Sequence, residues 1–429
     1  MVESALLIVQ WIAIAFLSLM LFLALFEPPL PYRVSAPPAH APDTEEFLRT
    51  LAALTGAQVR RSCSVEVLSN GEVYYEAELA AIGQAVHSIN LEAYIFKKGE
   101  VTRRFLEALT ERARAGVQVN LVLDALGSFA TWHGYFDGLR RAGGRIFFYH
   151  PIRWHTLPRI NNRTHRELII VDGQVAFLGG AGFADHWLLP HGRKKSRGRW
   201  RDTMFRVEGE AVLDLQSTFA ENLLETAGEM LYDVSYFPAA PAAGPTVAMV
   251  VRGTPSAGRS SRNHMLFQAL IAAAQKSIQI TSPYFLPDRS ARAELRRAIR
   301  KRGVEVTIVT PGRHTDHLIT RVTSRRLYGS LLRAGARIYE YQAAMIHTKM
   351  MVVDGLWSVV GSSNFDYRSF GINDEVNLAT RDEGIAQRLG EDFAADLAES
   401  RLQTYRRWYR RPIFERAYEW VGALLERQQ

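Results

Sequence analysis

One pattern occurs twice in this chain, and no other feature constrains its fold as tightly. The second copy runs His347-Thr348-Lys349-Met350-Met351-Val352-Val353-Asp354-Gly355, continues through Gly361-Ser362-Ser363-Asn364 and closes on Asn373-Asp374-Glu375. The first runs His165-Arg166-Glu167-Leu168-Ile169-Ile170-Val171-Asp172-Gly173, then Gly179-Gly180-Ala181-Gly182, then Trp200-Arg201-Asp202. The spacing is too long for a solenoid unit and predicts two copies of one domain facing each other. Two positions break the correspondence: Glu167 stands where the second copy has Lys349, and Gly182 where it has Asn364.

The sequence around each copy has the same layout. In the first, the periodicity predicts a helix over 80–85, a buried strand over 88–96, a helix over 101–115, a strand over 117–123, a helix over 131–142 and a strand over 145–149. The second repeats it: helix 263–274, strand 277–282, helix 290–302, strand 304–310, helix 320–334, strand 337–341. After each histidine the apolar runs Leu168 to Val171 and Met350 to Val353, ended by Asp-Gly and followed by Ala176 to Leu178 and Trp357 to Val360, predict hairpins. Strands alternating with amphipathic helices place the chain in the α/β class. The Pro-, Ala- and Gly-rich stretch 238–245 is the expected joint.

Before the first copy, residues 5–26 are uncharged and almost wholly apolar, interrupted by Gln10 and Ser18. A run of ~20 such residues suffices for a membrane-spanning helix. The leader carries Glu3 and no Lys or Arg, and the run ends in Glu27-Pro28-Pro29, which favours a retained anchor over a cleaved signal peptide. The expected division is an anchor over 1–27, a stiff Pro- and Ala-rich linker and juxtamembrane segment over 28–58, a first domain over 59–240, a second over 241–400 and a basic amphipathic tail over 401–429. The formal charge of +8 favours anionic partners without choosing among them. The single cysteine, Cys63, excludes an internal disulfide framework and any zinc site built mainly from cysteine.

Residues two apart on a strand share a face, so His347 and Lys349 are expected side by side with Thr348 turned away. An imidazole beside an ammonium suits a bound phosphate: Lys349 supplies charge to a non-bridging oxygen and Asn364 an amide donor. Glu375 is placed to accept the far N–H of His347 and fix its tautomer. If the copies face each other, His165 and His347 meet across the seam, one to attack phosphorus and one to donate a proton to the leaving oxygen.

These residues, His-x-Lys-x-x-x-x-Asp followed by Gly-Ser-x-Asn, resemble the phospholipase D superfamily, whose members carry two such motifs. Asn90 to Phe96, Thr281 to Pro287, Arg368-Ser369-Phe370, Asn373 to Asn377 and Trp200-Arg201-Asp202 are similar to bacterial cardiolipin synthases, and the resemblance covers about residues 60–420. It implies two tandem phospholipase D-like domains, each a mixed sheet flanked by helices, related by pseudo-twofold symmetry. It also implies a two-step phosphatidyl transfer through a phosphohistidine, with phosphatidylglycerol or a related phospholipid as donor and no metal or cofactor. Carried onto this chain, His165 is the expected nucleophile and His347 the acid and base. Asp202 would orient His165, Glu375 would orient His347, and Lys349, Asn364 and Ser362 would hold phosphate. Asp172 and Asp354 complete the catalytic motif and are expected to be structural. Glu167 would bind or deprotonate the accepting hydroxyl. The expected partners are phospholipids and a membrane, the bacterial inner membrane, and not nucleic acid. The oligomeric state is not readable.

A carboxylate at 167 would repel phosphate in a site of low dielectric, and Arg166 points the other way along the strand. Hydrolysis of phospholipid, phosphodiester cleavage in nucleic acid and non-catalytic lipid binding are therefore the competing readings. Two further stretches suit anionic lipid: the basic run from Arg193 to Arg201, and the tail, where Arg406, Arg407, Arg410 and Arg411 precede an apolar stripe from Ile413 to Leu425.

Overall fold

The computed structural model describes residues 2–26, 33–36, 38–131, 134–188, 198–254, 261–412, 415–416 and 419. The basic residues Arg193, Lys194, Lys195 and Arg197 and the apolar stripe of the tail from Ile413 onward lie outside them.

Among the described residues the first half contributes seven strands: β1 (Arg60–Ser69), β2 (Ser88–Ala93), β3 (Gln118–Asp124), β4 (Arg145–Tyr149), β5 (Leu168–Val171), β6 (Val175–Gly179) and β7 (Thr203–Glu208). The second contributes β8 (Thr246–Gly253), β9 (Ser277–Thr281), β10 (Glu305–Pro311), β11 (Arg337–Tyr341), β12 (Met350–Val353), β13 (Trp357–Gly361), β14 (Glu375–Arg381) and an added edge, β15 (Ser400–Gln403). Outward from the centre the first half reads β1-β7-β6-β5-β2-β3-β4, and the second reads β8-β14-β13-β12-β9-β10-β11-β15. Apart from the added edge, the two orders are the same. The halves join where β1 pairs antiparallel with β8, Cys63 opposite Thr246. Within each half β2-β3-β4 and β9-β10-β11 are parallel and the remaining pairs antiparallel, giving the mixed sheet expected.

The apolar runs after the histidines show why no alternation was visible there. In β5, Ile169 and Val171 face the core of the first half, while Leu168 and Ile170 face a middle core that also holds Met350, Val360 and Leu378 of the second. In β12, Met351 and Val353 face the second half's own core, while Met350 and Val352 face that same middle core. A strand covered on both faces reads as continuous hydrophobic sequence. At ~25 cal/mol per Å² of apolar surface, the middle core binds the halves firmly, and residues 33–429 form one compact unit.

Both predicted hairpins are present, β5-β6 and β12-β13. Two helical expectations change. The helix expected over 131–142 is reduced to a turn at Phe129–Thr131 and a short helix Asp137–Arg141, because Gly134 takes a left-handed conformation at φ +68°. The helix expected over 80–85 runs from Gly71 to Gln84. Helices Ala211–Ala227 and Glu383–Ala398, which flank the middle core, and the seam strands β1 and β8 were not foreseen.

Residues 1–32 form a separate unit whose helix spans Val2–Phe26, with Leu6, Trp11, Phe16 and Leu17 exposed. Among the described residues no helix is long and apolar enough to cross a membrane.

Candidate active site

The chain before β5 is zipped to the chain before β14. Thr164 bridges Asp374, and His165 N donates to Asp374 O at 2.8 Å. The chain before β12 is zipped in the same way to the chain before β7: Arg201 bridges Ile346, and His347 N donates to Arg201 O at 2.7 Å. Each histidine therefore lies against the carboxylate-bearing segment of the other half. His347 Nδ1 is 2.9 Å from Asp202 Oδ2. His165 Nδ1 is 3.4 Å from Glu375 Oε1 and 3.2 Å from the Ser362 carbonyl oxygen. This differs from the expected pairing: Asp202 lies against His347, and Glu375 against His165. Neither histidine meets the carboxylate of its own repeat; the exchange arises because the histidine segments cross the seam.

Carboxylate and carbonyl oxygens only accept, so Nδ1 of His165 donates to Ser362 O and Nδ1 of His347 to Asp202, while Lys349 Nζ stands 2.9 Å from His347 Nδ1 and 3.2 Å from its Nε2. His347, Asp202 and Glu375 are all buried. Trp187 and Trp200 close around the His347 ring, with centroids 5.4 and 5.3 Å away. Burial raises the Asp202 carboxyl, but the His347 hydrogen bond and the charges of His347 and Lys349 outweigh it and hold it below its usual range. His347 is pushed below the usual imidazole value, first by burial and then by the Lys349 ammonium, against the pull of Asp202.

Lys349 and His347 precede β12 rather than lie within it, and the extended chain still puts them on one side. Lys349 Nζ donates to the His347 carbonyl at 2.8 Å and stands 3.2 Å from His347 Nε2. It reaches across the seam over Gly180: a Cβ there would come within 2.9 Å of Lys349 Cδ and of Asp202 Oδ1. The missing side chain at 180 makes room for the cation of the other half. Burial lowers the Lys349 pKa, opposed by Asp202 and Glu375.

The two mismatched positions of the first half fit each other. Glu167 is buried and accepts the Ile95 N–H at 3.2 Å, and burial pushes its carboxyl well above the usual range. A Cβ on Gly182 would stand 2.8 Å from Glu167 Oε1 and 2.8 Å from the Ile95 carbonyl oxygen. The expectation that Glu167 handles the accepting hydroxyl is therefore corrected. Its side chain is turned to the backbone of the Tyr94–Ile95 segment and does not line the cavity in front of the histidines. Arg166 points away as expected, donating to Thr218 O at 2.8 Å and Glu221 at 2.9 Å.

Ser362, expected at the substrate, is also turned inward. Its hydroxyl bonds Glu375 and accepts from Val376 N at 3.1 Å, so it fixes the carboxylate behind His165. Asn364 does line the cavity, and its side-chain oxygen has no hydrogen-bond partner. Asp172 and Asp354 sit at the left-handed turn positions, φ +53° and +57°. Each accepts three successive backbone N–H groups, of Val86, His87 and Ser88 or of Gln275, Lys276 and Ser277, all within 2.9 Å. They tie hairpin to sheet and touch no part of the cavity.

The cavity holds about 580 Å³ and is lined by both histidines. Four lining residues carry chemistry that was not assigned from sequence. The Tyr94 ring lies 4.8 Å from the His165 ring. Arg163 is paired with Asp124 at 3.0 Å, and Arg368 donates to Asn161 Oδ1 at 2.7 Å. Asp366 is buried, and that burial, with Glu375 nearby, pushes it up to about 7. Arg163 stands two residues before His165, and Arg368 and Asp366 follow Asn364; their proximity in the chain was the available signal. Among the described residues no group of three or more His, Cys, Asp or Glu is placed to hold a metal ion.

The family model for the cardiolipin synthase, PLD-like domain matches residues 79–189 and 267–397, one segment in each half. A cardiolipin synthase of Geobacillus kaustophilus is 34% identical over 403 residues, covering 93% of this chain and 79% of that protein. The major cardiolipin synthase ClsA of Bacillus subtilis is 34% identical over 387 residues, covering 89% and 79%. Among solved structures, phosphatidylserine synthase of Haemophilus influenzae matches with a TM-score of 0.63 at 14% identity, over 90% of this chain and all of that one, which shows a shared fold.

Proposed function

The chain belongs to the cardiolipin synthase, PLD-like family, and from that premise we propose that it is a phosphatidyltransferase that makes cardiolipin from phosphatidylglycerol or a related phospholipid. The observation that carries this reading is the pair of imidazoles on one cavity, each with a carboxylate of the other half at its Nδ1.

The sequence suggested His165 as nucleophile; the surroundings favour His347. An ammonium 3.2 Å from Nε2 disfavours a second positive charge, so His347 rests as the neutral base. His347 Nε2 attacks phosphorus, the bond to the leaving glycerol oxygen breaks, and His165, entering the step protonated on both ring nitrogens, gives that oxygen the proton of Nε2. In the second half-reaction His165 takes the proton of the accepting hydroxyl, whose oxygen attacks phosphorus and breaks the P–N bond. Lys349 and Asn364 stabilise the charge on the non-bridging oxygens. With Glu167 turned to the backbone and away from the cavity, the first half sets no carboxylate from this position before the phosphate, which supports an active enzyme over a decayed one. The uncharged, almost wholly apolar run 5–26 is the reason to propose attachment to the bacterial inner membrane through this segment, a reading that rests on the sequence.

Purified full-length protein incubated with phosphatidylglycerol vesicles tests the reading. Cardiolipin and free glycerol in equal amounts are expected, and a phosphorylated His347 is expected on acid-labile trapping. Phosphatidic acid as the sole lipid product would make the protein a hydrolase, and unchanged lipid would end the proposal.

A further inference from the structure

A second chamber, of about 770 Å³, adjoins the histidine cavity and shares Tyr94, Leu126, Asp316 and His317 with it. Its size is in the range of ~300–1,000 Å³ typical of small-ligand sites. Trp200 forms its inner wall and at the same time lies 5.3 Å, ring to ring, from His347. Lys97 lines it and is exposed, and its ammonium has no ion pair among the described residues. His186 and His314 line it as well, and Arg313 donates to His314 Nε2 at 3.1 Å, which brings a guanidinium to its edge. Phe129, 65% exposed, and Leu126, 47% exposed, add apolar surface to its lining.

We propose that this chamber binds the accepting phospholipid by its phosphodiester, with Lys97 as the principal contact, and presents the free hydroxyl of that lipid to phosphorus on His347. The inference rests on the transferase reading and deepens it. Joining two phosphatidylglycerols brings two phosphodiesters to one site, and only one of them reacts. Lys349 and Asn364 serve the phosphate being transferred. The other keeps its negative charge throughout, so it needs a separate cation that does not neutralise the reacting group. Lys97 fits that role: it lies in the same chamber as Trp200, which packs on His347, and outside the constellation around the two histidines. The apolar surface at Phe129 and Leu126 suits the acyl-bearing end of a lipid, while water or a small alcohol needs neither group. No bond changes in the chamber itself; the hydroxyl proton goes to His165 as the new P–O bond forms.

The test separates acceptors. Full-length wild type, Lys97→Glu and Lys97→Arg are each given phosphatidylglycerol vesicles with and without ethanol, and cardiolipin and phosphatidylethanol are measured. Lys97→Glu should lower cardiolipin by about tenfold or more, the order expected for loss of a charge-assisted contact. It should leave phosphatidylethanol unchanged, which also reports that the variant is folded and that the donor half-reaction is intact. Lys97→Arg should retain cardiolipin formation. If Lys97→Glu lowers both products together, or neither, the chamber is not the acceptor site. If wild type forms neither product, the transferase reading itself fails and takes the chamber's role with it.

Discussion

Asp202 belongs to the first half and holds the histidine of the second: its Oδ2 lies 2.9 Å from His347 Nδ1. Glu375 returns the arrangement to His165 at 3.4 Å. Neither half contains a complete histidine–carboxylate pair, so the site exists only where the halves are joined, and the middle core that joins them is as necessary to the chemistry as the imidazoles.

Removing the acceptor behind His347 should therefore act as a lesion of the second half. Asp202→Asn leaves the shape but loses the fixed tautomer, and the transfer rate should fall by about 10²–10⁴-fold. In Asp202→Asn the phosphohistidine trapped at His347 should be lost, whereas Glu375→Gln should let it form and slow its formation through His165. Trapping with labelled phosphatidylglycerol followed by peptide mapping gives the answer; a label unaffected by Asp202→Asn would contradict the crossed pairing.

Glu167 is bonded to backbone and burial pushes its carboxyl well up, so Glu167→Gln should keep activity within about threefold, since an amide keeps an acceptor for the Ile95 N–H. Glu167→Lys puts an ammonium in the same enclosed place and leaves that N–H without its acceptor. It should cost about 2–5 kcal/mol of stability by chemical denaturation and should not raise activity.

Gly182→Asn restores the motif on paper but brings a Cβ to 2.8 Å from Ile95 backbone oxygen and 2.8 Å from Glu167 Oε1. A loss of about 1–3 kcal/mol is expected from overpacking, and Glu167→Ala should relieve only part of it because the Ile95 backbone remains. Thermal melts of the three variants measure this directly.

The rate should rise with pH through a value below the ordinary imidazole 6.5, because His347 attacks as the neutral ring and burial and Lys349 hold its pKa down. Lys349→Gln removes the second of these causes, so the acid limb should move to higher pH while the plateau falls. A limb that stays in place would show that the ammonium does not act on the ring.

Glu92 gives a pH dependence of stability instead. It is buried, it is pushed up to about 7 by that burial, and its Oε1 accepts from Asn222 at 2.6 Å and from Thr164, the residue before His165. A carboxyl with a raised folded pKa stabilises fully below its unfolded value of 4.5, and the contribution is lost as pH rises through about 7. Glu92→Gln should thus remove part of the fall in melting temperature between pH 5 and pH 8, about 3 kcal/mol at most.

The site was legible where chemistry and chain order coincide. His165, His347, Lys349 and Asn364 could be named because each sits at a fixed step from a histidine, and Asn364 and both histidines do line the cavity. Ser362 could not be placed, because its hydroxyl could turn either to substrate or to Glu375, and only the packing of β13 against β14 decides that. Glu167 was misread for a related reason: a carboxylate in a phosphate motif suggests a group facing substrate, and the Ile95 N–H it turns to lies over seventy residues earlier.

The sequence by itself determined that there are two α/β halves, two hairpins and two histidines, since turn chemistry and residue periodicity act over a few residues and need no distant partner. Which carboxylate serves which histidine, that Lys349 leans over Gly180, and that Gly182 and Glu167 occupy one another's space were decided by the tertiary structure alone. The first two relations run across the β1–β8 seam and depend on how the two halves pack around a shared core; the third is packing within the first half against Ile95, and no local pattern in the chain records either.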